Sequence, residues 1–230
     1  PLASYLASTR RPVHALAIAA PLLAVFHVGT FLYEDRLVAP WVVRGVLEWF
    51  GTPGALLAPL CVLAVFAAQQ WMRRDSWRVQ PRTLAGIAGE AVLCTLPLLA
   101  LSRLVAMTAA QASRPTAAGP ELFRAIGAGV YEEFLFRVVL LGLLMLLLVD
   151  VLEVKQGLSA CIAVVAGGIG FALIHFSNVP LGGSEPFAWP NFVFLGLAGM
   201  LWGTVYLARG YGVAALSHVL WDLMVSFWGA

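Results

Sequence analysis

Charge is scarce in this chain. Its 230 residues hold 14 basic and 12 acidic side chains, 11% charged against 61% hydrophobic, and the formal net charge is only +2. So small an excess, with no basic stripe, excludes a nucleic-acid binder, and the arginines are left to orient the chain in a bilayer. Cysteine is nearly absent. Cys61, Cys94 and Cys161 each stand alone inside an apolar run, without CxxC or Cys/His spacing. They read as small buried hydrophobes, not as metal ligands or a disulfide framework. There is no HExxH helix, no internal repeat and no low-complexity tail. The N-terminal stretch has no cleavable signal pattern, so the first span is expected to stay in the mature protein.

What the chain does have is long apolar runs. A mean hydropathy of +0.88 is far above that of a water-soluble domain and defines a polytopic membrane protein. The fold class is all-α, a transmembrane helical bundle of about seven spans, with six to eight as the range. Hydropathy places them near 14–33, 53–72, 84–108, 121–149, 157–177, 191–208 and 212–228. The fourth is longer than one crossing needs. Residues 40–50, PWVVRGVLEWF, read as a short interfacial amphipathic helix. ASRPTAAGP at 112–120 reads as a loop, and 178–191 as a longer, turn-rich one that can gate access to a site. Residues 1–230 form one integral membrane domain with no room for a soluble one. With the N-terminus in the cytoplasm, Arg10, Arg11, Arg73, Arg74, Arg78, Arg82, Lys155 and Arg209 lie inside and Arg36, Arg44, Arg114 and Arg124 outside, as the positive-inside rule prefers. Trp41, Trp49, Trp71, Trp77, Trp189 and Trp228 fall near span ends, where an aromatic belt explains them.

The charges that remain inside the spans are the informative ones, because an ionisable group deep in lipid costs on the order of 2.5–3.5 kcal/mol and usually marks function. In GVYEEFLFR, Glu133 and Arg137 are four apart on one helix face, while Glu132 is turned about 100° away. The plainer reading is a structural ion pair with Glu132 snorkelling to the interface, but Glu132 lies too deep in its span for a short side chain to reach water easily. A carboxylate in a partly dry cavity suits a general base acting on water. In FALIHF, Phe171 and His175 are four apart; in SHVLWD, His218 and Asp222 are. Alone, each histidine reads as structural, the second with its tautomer fixed by Asp222. Together, a glutamate and two histidines on three spans supply what a buried hydrolytic site in a bundle needs. Glu90 and Arg103 are nearly four turns apart and cannot pair with each other. His14 and His27 are isolated and read as structural.

E-E-x-x-x-R (Glu132, Glu133, Arg137), F-x-x-x-H (Phe171, His175) and H-x-x-x-N/D (His218, Asp222), in that order on successive spans, resemble the CAAX protease and bacteriocin-processing family of intramembrane proteases. The resemblance covers 120–228, the expected catalytic core. It implies that Glu132 activates a water held by His175, that His218 stabilises the oxyanion together with residue 222, and that Glu133 and Arg137 position the first motif. Prenyl-protein endopeptidases of the family typically have asparagine where this chain has Asp222, so Asp222 is expected to orient His218 rather than donate a hydrogen bond. The resemblance to glutamate-type members favours a metal-free water and no cofactor; a Glu/His/His set that binds zinc is the alternative. An Ala- and Arg-rich chain with short loops points to a prokaryotic cell membrane. There the resemblance implies membrane-anchored proteins or peptides as substrates, cut at C-terminal sorting signals or leaders. Two other classes compete. A non-catalytic scaffold or immunity protein of the same fold would not need Glu132 or His175, and a proton-coupled transporter would want paired half-repeats, which are absent.

Overall fold

The computed structural model describes residues 2–33, 54–106, 118–177 and 186–228. These form helices joined by short irregular links, with no strand among the described residues. In chain order they are α1 (Leu2–Thr9), α2 (Pro12–Tyr33), α3 (Gly54–Arg73), α4 (Pro81–Ala106), α5, α6 (Gln156–Leu173), α7 (Trp189–Arg209) and α8 (Tyr211–Trp228). The continuous helix α5 is regular over Ala118–Glu133, π-wound over Phe134–Leu140, regular over Leu141–Met145 and π-wound again over Leu146–Val151. All seven hydropathic segments are therefore helices, and α1 is an addition that hydropathy did not resolve. Among the described residues five helices are long and apolar enough to cross a membrane, with Pro120–Val151 the longest candidate span at 32 residues. Tyr211–Phe227 is apolar but shorter, and α3 has 20 residues. The expected interfacial helix at 40–50 lies outside the described residues, as do 107–117 and 178–185. Residues 118–120, expected as loop, already open α5.

Helix boundaries follow local chemistry. Proline opens α2 and α4, where a missing N–H costs nothing. Gly210 ends α7 at φ 90° with its N–H donating to the Tyr206 carbonyl, and the chain turns at once into α8. Any side chain there would be strained, and a Cβ would also lie 3.0 Å from the Arg10 Cα.

Along the spans the outward faces are apolar, and among the described residues two charged side chains are fully buried. Phe31 is 85% exposed and Leu93 63%, while Glu133 and Arg137 are 0% and 1% exposed. That inversion suits a protein whose outer face meets acyl chains, and the chain is an integral membrane protein. It also corrects the reading of the cysteines. Cys61 and Cys161 are exposed on the outer surface, not buried, because in lipid an outward-facing thiol is already in an apolar medium. Trp71, Trp77 and Trp189 are exposed near helix ends, as a belt requires.

Helix α8 sits at the centre, packed on α5, α4, α7 and α2, and α6 pairs with α7. Two close crossings set the geometry. A Cβ on Gly168 of α6 would lie 2.6 Å from Met200 Cγ and 2.8 Å from the Gly196 carbonyl of α7. One on Gly129 of α5 would lie 2.4 Å from Val219 Cγ2 and 2.8 Å from the Val219 nitrogen of α8. Only glycine allows such backbone approach, the usual device of helix pairs in lipid. At the N-terminal end, His14 donates from Nδ1 to the Ser8 carbonyl at 2.9 Å and accepts the Gln80 N–H on Nε2 at 3.2 Å, a structural role. Glu90 pairs not with Arg103 but, in bidentate fashion at 2.5 and 2.6 Å, with Arg209, tying α4 to α7.

Candidate functional site

The close crossing at Gly129 brings α8 near enough for His218 to reach α5. Tyr211 reinforces it by donating its hydroxyl to the Val130 carbonyl at 2.8 Å. At the last regular residue before the π-wound stretch, Glu133 then becomes a hub. One carboxylate oxygen, Oε1, accepts from His218 Nδ1 at 3.0 Å, and Oε2 stands 3.0 Å from Arg137 Nε. The second contact is close but poorly angled for a hydrogen bond, so it is an ion pair held mainly by charge. Insertions of wide turns into α-helices are frequent at functional sites.

The sequence paired Glu133 with Arg137, and that pair exists. The resemblance gave His175 to the water beside Glu132 and His218 to the oxyanion, and the structure divides the two histidines between the adjacent glutamates. Only His175 faces Glu132, with Nε2 3.9 Å from Oε2; His218 faces Glu133. The roughly 100° between adjacent helical residues explains the split, since α8 lies on the side of Glu133 and the end of α6 on the side of Glu132.

His175 stands just past the end of α6 and donates from Nδ1 to the Phe171 carbonyl at 2.7 Å. Its Nε2 is therefore the lone-pair nitrogen, and it points toward Glu132. The FxxxH spacing thus fixes a tautomer. The Phe171 ring also braces the neighbouring groups, meeting Trp202 and His218 edge-on, each at 5.8 Å, and lying 5.2 Å under the Arg137 guanidinium. His218 Nε2 points at Asp222 Oδ2, 3.6 Å away and four residues on. The imidazole of His218 is stacked on the Trp202 indole at 3.9 Å and 15°.

Two layers result. Glu133, Arg137, His218, Phe171 and Trp202 are dry. Glu132, His175 and Asp222 keep 16, 27 and 28% of their side chains exposed. The dry layer fixes where His218 points, and the wetter layer can meet water and substrate. Glu132 Oε2 has no hydrogen-bond partner among the described residues. Beside this layer, the chain that follows His175 is anchored by an aromatic cluster: Phe176 meets Phe187 at 5.0 Å, and Phe187 meets Trp189 at 5.1 Å. Residues 178–185 of the expected gating loop lie outside the described residues.

Trp202 is the site residue that sequence reasoning missed. It sits mid-helix, away from both ends of α7, and a mid-span tryptophan is what an aromatic belt does not explain. As for metal, no group of three His, Cys, Asp or Glu among the described residues is placed to hold an ion. One ring nitrogen of each histidine is already bonded within the protein, His218 to Glu133 and His175 to the Phe171 carbonyl.

The molecule is thus a helical membrane bundle with a carboxylate–imidazole site assembled from α5, α6 and α8. Residues 117–224, which carry every residue of that site, match the family model for type II CAAX prenyl endopeptidase Rce1-like proteins. This stretch is therefore similar to the Rce1-like family, and that similarity supports the fold of a CAAX-type intramembrane protease. No curated protein and no solved structure matches the chain.

Proposed function

We propose that the protein is a metal-free, glutamate-type intramembrane endopeptidase that hydrolyses a peptide bond of a membrane-anchored protein or peptide. The observation that carries the reading is the pairing of Glu132 with the lone-pair nitrogen of His175 at 3.9 Å, on the wetter side of the site. That gap is too long for a direct hydrogen bond and fits one bridging water.

The chemistry then runs on this chain's own groups. A water held between Glu132 and His175 Nε2 loses a proton to Glu132 as its oxygen bonds to the scissile carbonyl carbon. The carbonyl oxygen becomes an oxyanion, which accepts a hydrogen bond from protonated His218 Nε2. Collapse of the tetrahedral intermediate breaks the C–N bond, and the amine leaves with the proton that Glu132 carries. Glu133 and Trp202 hold the His218 ring, and Arg137 balances the charge of Glu133. Asp222 faces the working nitrogen of His218 at 3.6 Å and keeps it aimed between turnovers.

The proposed setting is a prokaryotic cell membrane with the N-terminus in the cytoplasm, and the proposed substrates carry C-terminal sorting signals or leaders. The orientation rests on the basic end of the bundle, where Arg73 donates to the Arg10 carbonyl at 3.2 Å and Arg11 pairs with Asp75 at 3.8 Å. The test is co-expression with candidate membrane-anchored substrates. A product made by the wild type and lost in Glu132→Ala and His175→Ala, at equal protein levels, supports the reading. A product that persists in both variants overturns it, and one made by neither wild type nor variants returns the case to a scaffold.

A further inference from the structure

At the end of the bundle that carries the N-terminus, the α1–α2 junction, the last turn of α3 and the α7–α8 junction enclose a cavity of about 420 Å³. It has no part in the site described above. Arg10, Arg11 and Arg73 line it, and no carboxylate does. Three cations around one hollow repel each other unless an anion is present. Arg11 is partly engaged, with Asp75 at 3.8 Å and with the Ser76 carbonyl. Among the described residues, Arg73 makes one hydrogen bond, to the Arg10 carbonyl at 3.2 Å, and the Arg10 guanidinium has no hydrogen-bond or ion-pair partner. The remaining wall is mixed, with Thr9 and Gln69 beside an apolar side on which Phe66 is 2% exposed and Met72, at the edge, is 79% exposed. Trp71, next to Met72 and 76% exposed, marks the headgroup level of the membrane.

A hollow that is cationic at the headgroup level and apolar toward the hydrocarbon matches one kind of molecule. We propose that this cavity is a binding site for an anionic phospholipid, with the phosphate held by Arg10 and Arg73 and an acyl chain running along Phe66 and out past Met72. Guanidinium forks suit phosphate oxygens, and basic pockets between spans on the cytoplasmic side are suited to such headgroups. The cavity volume lies within the range of ordinary ligand sites. A zwitterionic lipid offers the same hydrocarbon without the net charge, and free phosphate offers the charge without the hydrocarbon.

Purified protein titrated with phosphatidylglycerol, phosphatidylcholine or inorganic phosphate, read by native mass spectrometry and by thermal unfolding, separates the three. The expected result is retention of one phosphatidylglycerol and a raised melting temperature with that lipid alone. The double variant Arg10→Ala/Arg73→Ala is expected to bind it about 10- to 30-fold more weakly. Arg10→Ala alone guards against misfolding, because its guanidinium supports no contact, and it is expected to show a loss of about fivefold. Equal retention of phosphatidylglycerol by wild type and both variants overturns the proposal. So does equal binding of phosphatidylcholine, or saturation by inorganic phosphate with no added gain from lipid.

Discussion

Removing Arg137 tests the dry layer of the site. Arg137 and Glu133 are 1% and 0% exposed, so neither has water to fall back on. Arg137→Met keeps the apolar stem against Phe136 and Phe171 but leaves the Glu133 carboxylate with His218 as its only partner. Breaking a buried pair by deleting one charge costs about 3–5 kcal/mol. In a chain of this size about 1 kcal/mol shifts the melting temperature by roughly 2–4 °C, so the loss is expected to be on the order of 6–20 °C. Glu133→Gln/Arg137→Met removes both charges and keeps a side chain that accepts from His218. Neutral replacement of a whole buried pair is often without cost, so the double variant is expected to regain most of the stability. The assay is thermal unfolding of wild type, both single variants and the double variant in one detergent, read as a double-mutant cycle. A single variant as stable as wild type, or a double variant no better than Arg137→Met, refutes the claim that this pair is dry and mutually dependent.

Trp202→Ala removes the platform under His218 and opens a cavity, with an expected cost of about 3–5 kcal/mol in unfolding measurements; Trp202→Phe keeps a stacking face and is expected to retain most of the stability. Gly168→Val drives a side chain into Met200 and the Gly196 carbonyl of α7, and should lower stability by about 1–3 kcal/mol or more while leaving the α5–α8 crossing intact. Incubation of active protein with a chelator, followed by dialysis and a rate measurement, is expected to leave cleavage unchanged; loss of activity that zinc restores would revive the metal alternative.

How much of this was legible in the sequence follows from what fixes each feature. Helix positions in lipid depend on runs of apolar residues, so a helix stands within a few residues of each of the seven hydropathic segments, five of them long and apolar enough to span among the described residues, and Pro12 and Pro81 sharpen two starts. The i,i+4 pairs, Glu133 with Arg137, Phe171 with His175 and His218 with Asp222, depend only on the pitch of a helix and were equally readable. Which histidine meets which glutamate was not readable, because it depends on the rotation of α6 and α8 about their axes. That rotation is set by close contacts such as Gly129 on Val219 and Gly168 on Met200. Trp202 was hidden for the same reason: its partner His218 is on another helix. The cysteines misled because hydropathy reports a preference for an apolar medium and does not say whether the medium is protein or lipid.

The central claim is that Glu132 is the base for hydrolysis. Its most direct test is the single-turnover rate of purified wild type, Glu132→Gln and Glu132→Asp on one substrate established by co-expression, with folding of each variant checked by thermal unfolding. Among the described residues Glu132 Oε2 makes no hydrogen bond, so melting temperatures are expected to stay within a few degrees. The cleavage step is expected to fall about 10²–10⁴-fold in Glu132→Gln, with substrate affinity preserved and partial recovery in Glu132→Asp. A folded Glu132→Gln that cleaves at the wild-type rate contradicts the account.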